Sequence, residues 1–309
     1  MLEDDPAARS LTDAEFRLFT SLLRERCGLH FDDQTRYLVE KRVWRLIDEA
    51  DGGSFAAFFH RLRHGPDAEE TFSRVVDMLT TNETYFFREI SQLLALVTEI
   101  IPGVLARRRG ASRPVDVWSA GCASGEEPLS IVMLGLEAGL VPGRDFRVFA
   151  SDLSRAALAR ARRGVYREAS FRETDARMRR RYFVEKDGLT RISDDVKRHV
   201  DFVHLNLLDH SRARLLGPMD VILCRNVMIY FDVESRRRVV RSFHDRLRPG
   251  GHLLIGHSES LIKVTTDFEL CHLRRELAYR KPGPGEEPFS LSDLLAERAI
   301  DDATERGDA

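Results

Sequence analysis

Four short stretches place chemistry-bearing side chains where an apolar run stops. "VDVWSAGCASGEEP" runs an apolar segment from Val115 to Trp118 into Gly121 and Gly125, followed by Glu126 and Glu127. "FRVFASD" ends in Asp152, and "HLNLLD" and "CRNVMIYFD" carry Asn206 and Asn226 at corresponding places. Small residues after a first strand let a ligand approach the backbone at the carboxyl edge of an open α/β sheet. The pattern is neither G-x-G-x-x-G nor a Walker loop, and two carboxylates opening a helix would repel a pyrophosphate. An acidic loop suits a ligand with cationic groups. The plainer alternative is a tight turn whose acids complement the helix dipole.

Asp152 has the place of an acid that accepts hydrogen bonds from ribose hydroxyls. It could equally cap the helix "LSRAALARA". Each asparagine offers donors and an acceptor, useful for an adenine edge or an amino-acid head group. Together these features point to S-adenosylmethionine, which carries a sulfonium and an ammonium but no phosphate. "GHSES" adds His257. Nothing at metal-ligand spacing accompanies it, so turn capping is at least as good a reading, and no metal is expected.

The elements that must hold these residues follow from periodicity. From Arg113 onward, β-rich runs alternate with "EEPLSIVMLGLEAG", "SRAALARARRG" and "DVESRRRVVRSFHDRL". "GGHLLIGH" supplies a fifth strand, and "FELCHL" with "LAYRK" a closing hairpin. Strands alternating with helices imply a mostly parallel sheet covered on both faces. Residues 164–200 interrupt the alternation and read as a small lobe, with a hairpin turning at Asp187-Gly188. Residues 11 to about 108 read as helices, with Thr12 or Asp13 as first cap, Gly28 as stop, and a last helix linking to the sheet. After Lys281 come a linker and an acidic tail.

Composition bounds the rest. Hydrophobic residues make up 43% of the 309 residues, enough for a sizeable core, and 48 basic against 50 acidic residues argue against bulk attraction to nucleic acid. Cys27, Cys122, Cys224 and Cys271 are scattered, which fits reduced thiols in a cytoplasmic protein. The acidic N-terminal stretch lacks the apolar core of a signal peptide. "LLALVTEIIPGVLA" carries Glu99 and Pro102 and is too short to span a bilayer. One strip resists simple classification: "LTTNETYFFREI" compresses polar residues, aromatics and Arg88 into a few positions, and neither a helix cap nor a core explains both halves.

Taken in order, "TTNETYFFRE", "WSAGCASGEEP", "VHLNLLD", "CRNVMIYFD" and "GHSES" resemble the motifs of the CheR-type chemoreceptor glutamate methyltransferases, over roughly residues 10–282. The resemblance implies a class I S-adenosylmethionine-dependent methyltransferase fold: an N-terminal helical domain (1–88, with a linker helix to about 110), a seven-stranded sheet domain (111–282) and an inserted antiparallel β-subdomain (164–200). The linker and acidic tail then occupy 283–309. It implies methyl transfer to glutamates of chemoreceptor cytoplasmic domains, releasing S-adenosylhomocysteine, by a monomer that does not enter the membrane. Carried over by position, Asn82, Thr84 and Arg88 contact the cofactor from the strip, Phe87 walls the same pocket, and Glu126 and Asp152 are acidic contacts in the sheet. Asn206 with Leu207, and Asn226 with Val227, complete the pocket beside Gly121. Arg88 and Tyr230 match positions implicated in catalysis. A glutamate with a pKa of about 4.3 is already ionised at neutral pH, so no general base is needed. Two further readings use the same residues: a non-catalytic cofactor-binding module, and a methyltransferase for another protein.

Partner recognition is expected on "TRYLVEKRVWRLIDEA". On a helix, Val39, Val43, Leu46, Ile47 and Ala50 share one face and Lys41, Arg42 and Arg45 fall on the other. A solvated charged face is the plainer reading. In the resembled family this helix docks onto acidic receptor helices through basic residues. Some members also bind a receptor C-terminal pentapeptide through a glycine-bearing insertion in the subdomain hairpin. "YFVEKDGLTRI" has no such insertion, so a pentapeptide-independent enzyme is expected.

Overall fold

The computed structural model describes residues 10–108, 113–186 and 188–283. Four helices open the chain: α1 (Asp13–Cys27), α2 (Arg36–Asp51), α3 (Phe55–His64) and α4 (Ala68–Leu79). Thr12, not Asp13, caps α1, in a reciprocal capping box with Glu15, and Gly28 ends the helix at φ 77°. Phe19, Leu23, Val39, Val43, Ile47, Phe58 and Val75 are almost fully buried among these helices. That is the outcome of apolar residues recurring at helical spacing.

Helices α5 (Ile90–Ala95) and α6 (Ile101–Arg107) are joined through a π-helical turn at Leu96–Ile100. Together they form one apolar rod, Ile90–Arg107, long enough by length and composition to cross a membrane. The rod outruns the segment picked out in the sequence. Its buried side chains Leu93, Leu96, Val97, Ile100, Ile101 and Val104 belong to the core on one face of the sheet. It is therefore a sheet-covering helix as well as a connector.

The sheet contains β1 (Val115–Ala120), β2 (Phe146–Asp152), β6 (Val200–His204), β7 (Met219–Cys224), β8 (Leu247–Ile255), β9 (Glu269–His272) and β10 (Leu277–Arg280). Its order is β6-β2-β1-β7-β8-β10-β9, parallel except that β10 runs antiparallel to both neighbours. Every residue of the central strands β1 and β7 is buried, as parallel strands covered on both faces require. Helices α7 (Glu126–Glu137), α8 (Arg155–Arg163) and α12 (Val233–Arg246) cover the sheet. Between β2 and β6 the chain builds a second sheet from β3 (Val165–Tyr166), β4 (Phe183–Lys186) and β5 (Leu189–Ile192), ordered β3-β5-β4, with α9 (Ala176–Tyr182) and the short α10 (Asp194–Lys197). This is the inserted lobe. Of the expected turn pair, Gly188 is at φ 71°, and Asp187 lies outside the described residues. The acidic tail lies outside them too. A short α11 (His210–Ala213) precedes β7.

One apolar core runs from the four N-terminal helices to Trp118, Ile222, Met228 and Phe231 on one face of the sheet. Polar contacts reinforce this seam. The Asp77 carboxylate on α4 accepts from the Ser154 hydroxyl at 2.6 Å and from the Ala156 amide at 3.2 Å, at the N-terminus of α8. A carboxylate there meets unpaired helix amides and the positive end of the helix dipole.

Candidate active site

Strand order reverses beside β1, whose neighbours are β2 and β7, and the crevice at such a point is where open α/β sheets bind ligands. A cavity of about 350 Å³ lies there, between the carboxyl ends of the strands and the N-terminal helices. Gly121 begins its floor at φ 82°, and a Cβ at that position would meet Val227 Cγ2 at 2.5 Å. A side chain at 121 would thus be strained twice, by backbone conformation and by the β7 loop pressed against it.

Asp152 is 8% exposed; its Oδ2 accepts from the Ala123 amide at 2.8 Å and its Oδ1 from the Ser154 amide at 2.7 Å. Burial pushes its pKa up, against these amide bonds. The cap of α8 is Ser154, whose hydroxyl accepts from Ala157. Asp152 therefore ties two loops together while bordering the cavity, and a carboxylate has four lone-pair sites of which two are used.

Asn206 and Asn226 both line the cavity, and both also work within the protein. Asn206 Nδ2 donates to the Arg26 carbonyl at 2.6 Å, joining the end of α1 to the loop after β6, and its Oδ1 accepts from Leu208 at 3.0 Å. Asn226 adopts φ 57°, a left-handed conformation asparagine tolerates, and donates to Glu89 Oε1 at 3.3 Å. Leu207 and Val227 complete this wall.

The strip splits as its composition implied. Phe86 is fully buried against Tyr166, Phe171 and Phe183 of the inserted lobe, with ring centroids 4.7, 5.4 and 4.9 Å away. Asn82, Thr84 and Arg88 line the cavity, and Arg88 is half-buried with Nη1 donating to the Glu83 carbonyl at 3.2 Å. Phe87 departs from its expected place. It is 3% exposed in the sheet core and does not border the cavity, because its φ of 63° and its amide bond to Ser130 Oγ at 3.0 Å turn the ring inward.

Glu126 also departs from its expected place. It is 2% exposed and lies outside the cavity lining, accepting from Ser124 Oγ at 2.8 Å and from Ser170 Oγ at 3.0 Å. Burial pushes its pKa up. Its neighbour Glu127 borders the cavity instead. Successive helix positions turn by about 100°, so only one of two adjacent carboxylates at a helix start can face a given side.

Sequence reasoning chose Glu126 over Glu127 for the pocket and passed over Arg225. The Arg225 side chain is 2% exposed and pairs with Glu127 Oε2 at 3.1 Å and Glu89 Oε2 at 3.2 Å, while donating to the Arg88 carbonyl at 2.6 Å. It fastens the end of the strip to the start of α7. The available signal was an arginine directly after the apolar run 221–224, where a buried cation demands a partner.

Tyr230, 37% exposed, lines the cavity on a 3₁₀ turn, Met228–Tyr230. Its carbonyl accepts from the His30 amide at 2.9 Å, part of a bridge between Leu29 and Phe231 that brings the N-terminal helices to the rim. On α2, Lys41 and Arg45 are exposed, Arg45 pairing with Glu49 at 3.2 Å. Arg42 is not part of an open stripe. Its Nη1 donates to the Met78 and Leu79 carbonyls at 3.1 and 3.2 Å, the unpaired C-terminal end of α4. Val39, Val43, Leu46 and Ile47 are buried as expected, and the Ala50 side chain lies outside the described residues. His257 faces Glu276 at 3.3 Å. Among the described residues no group of three or more His, Cys, Asp or Glu is placed to hold a metal ion.

A family model described as "CheR methyltransferase, SAM binding domain" matches residues 82–277, and "CheR methyltransferase, all-alpha domain" matches 14–80. The chain belongs to the CheR methyltransferase family. Chemotaxis protein methyltransferase 2 of Vibrio cholerae is 38% identical over 277 residues, 89% of this chain and 95% of that one. The chemotaxis protein methyltransferase of Escherichia coli is 36% identical over 84% of this chain and 89% of its own length. Among solved structures, an O-methyltransferase family protein from Burkholderia thailandensis aligns at 15% identity and a TM-score of 0.38, covering 89% of this chain and 86% of that one. The family models and the curated relatives carry the assignment.

This CheR-family chain is thus a class I methyltransferase that binds S-adenosylmethionine, and its cavity suits that molecule. The wall carries the carboxylates of Asp152 and Glu127, the asparagine amides and apolar Leu207 and Val227, and its volume lies within the range of small-molecule sites.

Proposed function

We propose that this chain methylates glutamate side chains of chemoreceptor cytoplasmic helices, without using a receptor pentapeptide. One observation carries the reading: Arg88 and Tyr230, both with solvent access, line the same cavity as the Asp152–Asn226 wall. When bound, S-adenosylmethionine supplies an electrophilic methyl group and departs as S-adenosylhomocysteine. Everything else falls to the protein. Asp152, Asn206 and Asn226 bind and orient, each already immobilised by bonds within the fold. Arg88 orients the incoming carboxylate by charge-assisted bonds, and Tyr230 lines its path. An acceptor ionised at neutral pH needs no proton removed. Closure by the strip excludes water from the reacting oxygen.

Thr35 and Leu38, at the start of α2, border the cavity, so a receptor helix laid along α2 can present a glutamate to the mouth. Lys41 and Arg45 offer the basic groups an acidic helix would meet. In the lobe only positions 187 and 188 separate β4 from β5, a short connection that supports the pentapeptide-independent reading.

Incubation with radiolabelled cofactor and a panel of receptor cytoplasmic fragments tests the reading. Base-labile label released as methanol marks a carboxyl ester. Cofactor binding without transfer to any fragment would make the chain a binding module instead. A micromolar complex with a receptor pentapeptide in calorimetry, dependent on the lobe, would overturn the last clause.

A further inference from the structure

The loop carrying Asn226, Val227 and Tyr230 is held from behind by a residue outside the cavity. Glu259 follows β8 in a tight turn in which its own amide donates to the Gly256 carbonyl at 2.9 Å. Its Oε2 accepts from the amides of Gly256 at 2.7 Å and Asn226 at 2.8 Å. Its Oε1 accepts from the amides of Val227 at 3.1 Å and Ile229 at 3.2 Å. One carboxylate thus satisfies four backbone donors from two segments. The fit is close: a Cβ on Gly256 would lie 2.7 Å from Asn226 Nδ2 and 2.9 Å from Glu259 Oε2. Glu259 itself lines a separate depression behind the loop, with His257, Glu276 and Tyr279.

We propose that Glu259 is a positioning residue for methyl transfer, its carboxylate setting the place of Val227 over Gly121 and of Tyr230 at the cavity mouth. Asn226 at φ 57° begins the clamped stretch, and the Tyr230 amide donates to the Val227 carbonyl at 3.1 Å. Any shift of the clamped amides therefore reaches both residues. A neutral amide cannot replace the carboxylate, since its nitrogen would bring two donors against donors. The inference rests in part on the role proposed for Tyr230. The decisive readouts need no acceptor, so a failed receptor assay and a failed clamp remain distinguishable.

The full chain carrying Glu259→Gln is compared with wild type and with Glu259→Asp, which keeps the charge. Calorimetry with S-adenosylhomocysteine is expected to show affinity reduced by about tenfold or more in the Gln variant and partly recovered in the Asp variant. Amide hydrogen exchange, measured without ligand, is expected to quicken at Asn226–Ile229 and stay unchanged in β1 and β7. Wild-type affinity with unaltered exchange at Asn226–Ile229 would overturn the proposal. So would exchange that quickens uniformly through the sheet, which is the mark of general destabilisation. Should the Gln variant fail to fold, the Asp variant decides by the same exchange pattern.

Discussion

The two walls of the cavity are built on opposite principles. On the sheet side, Asp152, Asn226 and Arg225 are already committed to partners: two amides, the Glu89 carboxylate, and a pair of acids with a carbonyl. At the cavity mouth the side chains are freer: the Arg88 guanidinium keeps one hydrogen bond, to the Glu83 carbonyl, and Tyr230, though its loop is clamped, is 37% exposed. A group held by several buried bonds cannot reorient, which suits recognition of a constant cofactor. A group with unused donors can meet a variable partner. The difference separates stability from turnover, and substitutions on the two walls should report it.

Arg225→Ala should have the largest effect. It leaves the half-buried carboxylates of Glu89 and Glu127 without their cation; breaking a fully buried pair costs about 3–5 kcal/mol, and about 2–3 kcal/mol is expected here. Denaturant unfolding measures it, and a loss below 1 kcal/mol would mean the sheet wall is not held this way. Arg88→Ala should reverse the balance, lowering initial methyl-transfer rates by about 100-fold or more while leaving stability within about 0.5 kcal/mol. Unchanged rates would remove Arg88 from the chemistry. Asp152→Asn keeps one acceptor, sets an amide nitrogen against one of the two N–H groups the carboxylate now satisfies, and loses the charge; it should weaken cofactor binding by about 1–3 kcal/mol in calorimetry. An unaltered dissociation constant would leave Asp152 a structural tie between loops. The smallest effect is expected at Arg42→Ala, about 0.5–1 kcal/mol of stability from the freed end of α4, with receptor affinity unchanged. Arg45→Glu should do the converse, and a pull-down on receptor fragments distinguishes the two.

Much of this division was legible in the sequence, and the residues that were not share one cause. Gly121, Asp152, Asn206 and Asn226 each stand where an apolar run ends, so their convergence on one sheet edge follows from strand polarity alone. The aromatic half of the strip and its polar half were separable by type. Glu126 and Phe87 were misplaced because a one-residue difference in helix phase or a single left-handed φ reverses where a side chain points. Arg42 fell with Lys41 and Arg45 on a helix drawn in isolation, and only the packing of α4 against α2 showed carbonyls waiting for it. Glu259 stands within "GHSES", where the reading fell on His257; its role was not legible, since its partners are main-chain amides of a segment some thirty positions away.

The sequence by itself determined the periodicities, hence the helical domain, the mostly parallel sheet and the inserted lobe, and the edge at which a nucleoside-like cofactor is read. Hydrophobic pattern and turn residues act locally, so they survive being read one segment at a time. Tertiary structure alone decided which of two adjacent glutamates faces the cavity, which of three basic residues is taken up by α4, and that Arg225 and Glu259 fasten the loops. Those outcomes depend on long-range hydrogen bonds between segments, and on the cost of leaving a buried donor or charge without a partner.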